Sequence, residues 1–170
     1  IAAAVSHEAY QMAFRDELTG LPGRRALNER MQRLGRNYVL AMTDVDHFKK
    51  FNDTHGHDVG DQVLRLVASK LSKISGGGRA YRYGGEEFVL LLPNTDADQF
   101  TACCERLREA FSKAEPVGVT VDNLSLSAGM TMLVAGDDLD EALQRADLAL
   151  YQAKRGGRNR CDASWESAGA

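Results

Sequence analysis

The sequence predicts an α+β domain built on a mixed or mainly antiparallel sheet. Three observations point there. Apolar runs of strand length, such as Tyr38–Thr43 and Phe88–Leu92, are interleaved with amphipathic helical stretches along the 170 residues. Arg79–Tyr83 and Phe88–Leu92 flank Gly84-Gly85-Glu86-Glu87, so two sequential strands meet in a hairpin, a connection that belongs to antiparallel pairing. A doubly wound parallel sheet is the weaker reading, and neither a phosphate-binding P-loop nor a glycine-rich dinucleotide fingerprint is present.

The elements follow in order. Ile1–Phe14 is Ala-rich and helix-prone and reads as the end of a helix entering from upstream. Asp16–Gly23 contains Gly20, Pro22 and Gly23 and is a turn-rich connection. A helix with Leu27, Met31 and Leu34 on one face comes next, and Tyr38–Thr43 then delivers Asp44 to a sheet edge. The stretch Asp44–Asp61, dense in acid, base and amide side chains, reads as loop-rich. From Val59 to Ile74 the set Val63, Leu64, Val67, Leu71 and Ile74 recurs at helical spacing until Ser75-Gly-Gly-Gly78 stops it. In the hairpin, Gly84 and Gly85 are expected to supply the positive φ of a tight turn, and Pro93 closes its second strand. Phe100, Cys103, Cys104, Leu107 and Phe111 mark another amphipathic helix. Leu124, Leu126, Ala128, Met130 and Met132 alternate with Ser125, Ser127, Gly129 and Thr131, which predicts a half-buried strand. Leu139, Ala142, Leu143, Ala146, Leu150 and Ala153 make a last helix ending before Gly156-Gly157, and a loose tail is expected from Asp162.

A chain of 18.6 kDa suits one compact domain. The formal charge of −3 argues against a general nucleic-acid binder, which needs a positive field. Three cysteines, Cys103, Cys104 and Cys161, form no C-x-x-C pair, so neither a disulfide framework nor a zinc knuckle is indicated and a reducing, cytoplasmic setting fits. Apolar runs such as Ile1–Val5 fall far short of the roughly 20 residues of a membrane span, and no signal peptide is seen. Because the chain opens at Ile1, an upstream sensor or membrane anchor stays open.

Acidic groups sit where the chain turns: Asp44 and Asp46 after the first strand, Glu86 and Glu87 at the hairpin tip. If they converge, their repulsion calls for a hard divalent cation. The plainer reading is that Asp44 opens a turn and the two glutamates are solvated. An EF-hand is excluded, since Phe48 occupies its third ligand position. His47, His55 and His57 raise a zinc alternative that the surrounding oxygen donors disfavour. Asn52 and Asp61 can hydrogen-bond a polar ring such as guanine, though Asp61 equally suits a helix cap. Lys154, Arg155, Arg158 and Arg160 surround Gly156-Gly157 as a phosphate clamp, or as cations complementing a helix C-terminus.

Arg82-Tyr-Gly-Gly-Glu-Glu-Phe88 resembles the signature of the GGDEF family, the diguanylate cyclases, in its GGEEF form. Asp16-x-Leu-Thr-Gly-Leu21 with Arg24-Arg25, the segment Asp44–Asp61, Ser127-Ala-Gly129, and Ala146-Asp147 through Tyr151, Lys154 and Gly157-Arg-Asn159 resemble further family segments in order and spacing. The likeness covers about residues 14–160. It divides the chain into the end of a linker helix (1–14), the domain (15–161) and a flexible tail (162–170).

The resemblance implies an α/β fold with a central, mainly antiparallel sheet wrapped by helices, akin to the palm of nucleotide cyclases and polymerases. It also implies condensation of two GTP into cyclic di-GMP by a homodimer, each copy bringing one GTP, with an upstream sensor in the full-length protein. Two Mg²⁺ per site, or Mn²⁺ in its place, would be held by Asp44, the Val45 carbonyl, Glu86 and Glu87. Glu86 would also accept the hydroxyl proton. Asn52 and Asp61 would read guanine, His57 would line the nucleotide site, and Lys49, Lys154 and Arg158 would face phosphates. Gly84 and Gly85 would let the backbone lie close to substrate. The family's inhibitory product site, Arg-x-x-Asp before the signature, has Ser75 and Gly78 at its positions, so feedback through it is not expected. A non-catalytic module binding GTP or cyclic di-GMP is the alternative from another class, and a mixed adenine-guanine cyclase is disfavoured by Asp61.

Overall fold

The computed structural model describes residues 14–34, 38–73, 79–93 and 124–164, with isolated positions at 8–9 and between 99 and 109. In chain order these hold α1 (Arg24–Arg33), β1 (Tyr38–Val45), α2 (Phe48–His55), α3 (His57–Ser72), β2 (Arg79–Arg82), β3 (Glu87–Pro93), β4 (Leu126–Met132), α4 (Leu139–Arg155) and β5 (Cys161–Ala163). The strands form one sheet in the order β2-β3-β1-β4-β5. Every pairing is antiparallel except β4 with β5, and β2 with β3 is the hairpin pair expected from the sequence.

β1 is central and buried along nearly its whole length, because helices cover both of its faces. Val39, Ala41 and Val45 pack with Val63, Val67 and Leu71 of α3, while Leu40 and Met42 pack with Leu27 of α1 and Leu143, Ala146 and Leu150 of α4. The half-buried reading of β4 is corrected: Ser127, Gly129 and Thr131 are also buried, under α4. They are small or hydrogen-bonded, which lets the helix sit against the strand. A Cβ added to Gly129 would fall 2.0 Å from the Leu150 nitrogen and 2.2 Å from the Ala146 carbonyl oxygen.

Other expectations shift as well. The loop-rich reading of Asp44–Asp61 gives way to helices, α2 and the start of α3, jointed at Gly56 with φ 89°. Asp61 therefore lies in the second turn of α3 and caps nothing. Asp162 and Ala163, expected in a loose tail, extend β5 beside β4, where Ala163 is buried. Ser75 and Gly78, the apolar positions of the helix expected around 100–111, nearly all of the upstream helix and residues 165–170 lie outside the described residues. Among the described residues no helix is long and apolar enough to cross a membrane.

Candidate active site

The carboxyl end of β1 gathers the acidic groups. Asp44 is buried, and its register partners are Glu87 on β3 and Ser127 on β4, so strand pairing itself sets a second carboxylate beside it. Glu86 immediately precedes β3, and its carbonyl accepts from the Val45 N–H at 3.4 Å. Lys154, in the last turn of α4, ion-pairs with Asp44 through Oδ2, whereas Asp44 Oδ1 is buried with no hydrogen-bond partner. Burial first and Asp44 second push Glu86 up to about 7, with Lys154 opposing the rise and Glu87 adding to it. Burial also raises Glu87 and Asp147, each with Asp44 adding to the rise and Lys154 opposing it.

This site is short of positive charge. An unpartnered buried oxygen among mutually repelling carboxylates fits a hard divalent cation. Among the described residues no three His, Cys, Asp or Glu side chains converge to hold a metal by themselves.

One consequence is measurable. Across the window from about 4.5 to about 7, the folded chain retains a Glu86 proton that the unfolded chain has released, so rising pH favours unfolding. Thermal midpoints of the metal-free protein are expected to fall through that window, and Glu86→Gln to flatten the slope. A slope unaltered by the substitution would contradict the assignment.

The hairpin is corrected in its geometry. Gly84 and Gly85 do not adopt positive φ. The connection is wider than a two-residue turn, and Tyr83 and Gly84 N–H groups both donate to the Glu87 carbonyl, at 2.9 and 3.1 Å. Arg82 organises it, donating to the Gly84 and Gly85 carbonyls at 2.7 and 2.6 Å and to Asp16 Oδ2 at 2.9 Å. Asp16 also accepts from the Thr19 N–H and hydroxyl. Burial pushes Asp16 up, but those hydrogen bonds and the Arg82 charge outweigh it and leave the carboxyl below its ordinary value. A Cβ on Gly85 would meet nothing within 4 Å, so its backbone is open to an approaching ligand.

The α2–α3 hairpin holds the residues expected from the sequence at the base, Asn52 and Asp61. No side chain caps α2, where His47 takes φ 56°, so the first-turn N–H groups of Phe48–Lys50 stand ready for an anion, with Lys49 exposed on the same turn. Asn52 packs its amide onto Gly60, where a Cβ would fall 1.8 Å from Asn52 Oδ1, and that buried oxygen has no hydrogen-bond partner. Gly60 is thus required for the position of Asn52, and Asp61 follows it directly. His57 is exposed at the start of α3, and His55 lies against the Phe51 ring at 4.6 Å.

At the other flank, Arg158 is exposed in the turn after α4. The structure thus brings Asp44, Glu86, Glu87 and Lys154 together, with Lys154 on a carboxylate instead of open for phosphate. Sequence reasoning missed the placement of Asp147, Gly60 and Asp46. The carboxyl of Asp46 is not directed to the acidic cluster but accepts from Ser125, Ser127 and Asn159.

A family model described as "Diguanylate cyclase, GGDEF domain" matches residues 13–160. The chain is 42% identical over 166 residues to diguanylate cyclase DgcP of Pseudomonas aeruginosa, covering 89% of this chain and 24% of that protein. It is 41% identical over 153 residues to diguanylate cyclase VdcA of Vibrio cholerae, covering 85% of this chain and 45% of the relative. The crystal structure of the coiled coil and GGDEF domain of DgcB from Caulobacter crescentus, in complex with c-di-GMP, superposes with a TM-score of 0.87 at 34% identity, covering 95% of this chain and 91% of that one. The chain thus spans less than half the length of the curated relatives named here.

Proposed function

Because the chain belongs to the GGDEF diguanylate cyclase domain family, we propose that it condenses two GTP molecules into cyclic di-GMP, working as two copies that each bring one GTP. In each half-reaction the ribose 3′-oxygen of one GTP bonds to the α-phosphorus of the other, the bond to pyrophosphate breaks, and the hydroxyl proton is removed. Two such steps close the ring and release two pyrophosphates. The observation that carries this reading is the acidic cluster with the unpartnered Asp44 Oδ1, set beside an uncapped helix N-terminus.

The residues divide the work. Asp44, the Val45 carbonyl, Glu86 and Glu87 are the groups that would hold divalent metal, two Mg²⁺ or Mn²⁺ per site. Bound there, the metal supplies charge neutralisation at the α-phosphoryl group and the departing pyrophosphate. Glu86 is the carboxylate that would take the 3′-hydroxyl proton. The first-turn N–H groups of α2, Lys49, Lys154 and Arg158 bind the triphosphate. Substrate phosphate would compete with Asp44 for Lys154, which ion-pairs with that carboxylate. Gly84 and Gly85 admit the nucleotide close to the hairpin backbone, and His57 lines its site. Regulation falls to a sensor region and to partner domains outside these residues.

Asn52 and Asp61 read the base, since a carboxylate accepts from guanine N–H groups that adenine does not present. Asp61→Ser is expected to reduce selectivity for GTP over ATP by about 10-fold, in line with roughly 1–3 kcal/mol for a mismatched buried polar contact. Competition between the two nucleotides measures it, and unchanged selectivity would assign base reading to another group. The activity itself is tested by incubating the full-length protein with GTP and Mg²⁺ and following cyclic di-GMP. Binding of GTP without turnover would identify a receptor module instead.

A further inference from the structure

We infer that Asp46 is a positioning residue for nucleotide binding: it pins the turn after α4 so that Arg158 faces the phosphates. The inference rests on the reading of Arg158 as a phosphate ligand. Asp44 and Asp46 both end up buried at the end of β1, yet their carboxyls have opposite surroundings. Asp44 keeps an oxygen without a partner, as a metal ligand requires. Both oxygens of Asp46 are occupied: Oδ1 accepts from the Ser127 hydroxyl at 2.6 Å, and Oδ2 accepts from the Ser125 hydroxyl at 2.6 Å and the Asn159 N–H at 3.0 Å. The Asp46 N–H also donates to the Ser125 carbonyl at 2.9 Å, so the residue is fixed to β4 by main chain and side chain alike.

Within the turn that Asp46 holds the hydrogen bonds are long: the Gly157 N–H donates to the Lys154 carbonyl and Arg160 Nε to the Arg158 carbonyl, each at 3.4 Å. Gly157, Arg158 and Asn159 take φ of 117°, 65° and 49°; Arg158 carries a side chain in a backbone region that disfavours it, whereas Asn159 is of a type that enters that region more readily. Such a conformation persists only where its surroundings over-determine it. On one side the turn is tied to α4, by the Arg158 N–H donating to the Ala153 carbonyl at 3.0 Å. On the other it is tied to β4, by the Ala128 N–H donating to the Arg160 carbonyl at 2.9 Å. Asn159 lies between these ties, directly after Arg158, and its N–H finds its acceptor on Asp46, 113 residues away in sequence. Removing that acceptor leaves the left-handed residues free to relax and carries Arg158 away from the site. Lys154, one turn earlier and held within α4, stays in place.

A coupling experiment tests this. Affinity for a non-hydrolysable GTP analogue is measured on the full-length protein for Asp46→Ala, Asp46→Asn, Arg158→Gln and the paired variants. Asp46→Ala is expected to weaken binding about tenfold in the parent. Asp46→Asn, which keeps one acceptor for the Asn159 N–H, is expected to weaken it about threefold. In the Arg158→Gln background both effects are expected to vanish, because residue 46 then has no cation left to position. If Asp46→Ala does not fold, the Asp46→Asn cycle reads the same coupling. Additive losses would overturn the inference and assign Asp46 a general structural role. A neutral Arg158→Gln beside a weakened Asp46→Ala would overturn it equally, through the wrong target. Failure of the parent protein to bind the analogue would instead reject the nucleotide reading, and this inference with it.

Discussion

Asp44→Asn is expected to slow cyclic di-GMP formation by a factor of about 10² or more, the loss that follows removal of one well-placed electrostatic contribution to a transition state. The substitution keeps side-chain volume at a buried position and removes the charge on the oxygen that lacks a hydrogen-bond partner. It also dissolves the ion pair with Lys154, which leaves that cation free for phosphate. GTP affinity should therefore hold or improve while turnover collapses, a split that separates a metal-site defect from misfolding. Pyrophosphate release and GTP binding, measured on the same preparation, check both halves. A near-normal rate would remove Asp44 from the metal site.

Among the described glycines, Gly129 is the one where Gly→Ala is expected to cost the most stability. Its Cβ would be placed 2.0 Å from the Leu150 nitrogen, 2.2 Å from the Ala146 carbonyl oxygen and 2.6 Å from the Leu150 Cα, all main-chain atoms of α4. A flexible side chain can swing aside, but a helix must move as a body. Overpacking of cores costs typically 1–3 kcal/mol, and a clash with main chain sits at about 3 kcal/mol or above. For a domain of this size that lowers the thermal midpoint by roughly 6–12 °C, at about 2–4 °C per kcal/mol. Since α4 carries Lys154 and leads into the Arg158 turn, the survivors should also bind GTP less tightly. A midpoint within about 2 °C of the parent would show that α4 yields at little cost.

How far the sequence reveals this molecule depends on whether the relevant physics is local. The hairpin around Glu86 and Glu87 and the strand ending at Asp44 were legible because period, turn residues and strand length are written in consecutive positions. α2 was not. Phe48 and Phe51 are its only large apolar side chains, and it is short, uncapped by any side chain and broken from α3 at Gly56, so its polar residues read as loop. The covered face of β4 was hidden for a related reason: Ser127, Gly129 and Thr131 look solvent-facing until α4 lies on them. The hairpin's geometry escaped because Arg82, not the glycines' φ angles, shapes it. Asp44 and Asp46 look alike in sequence, and only contacts with residues 79 to 113 positions away distinguish them.

The most direct test of the account is the stoichiometry of products when the full-length protein meets GTP and Mg²⁺. Two pyrophosphates should be released for each cyclic di-GMP formed, with a rate per subunit that rises with protein concentration as copies pair, and none in metal-free buffer. Saturable GTP binding with no pyrophosphate released at any concentration would contradict the account.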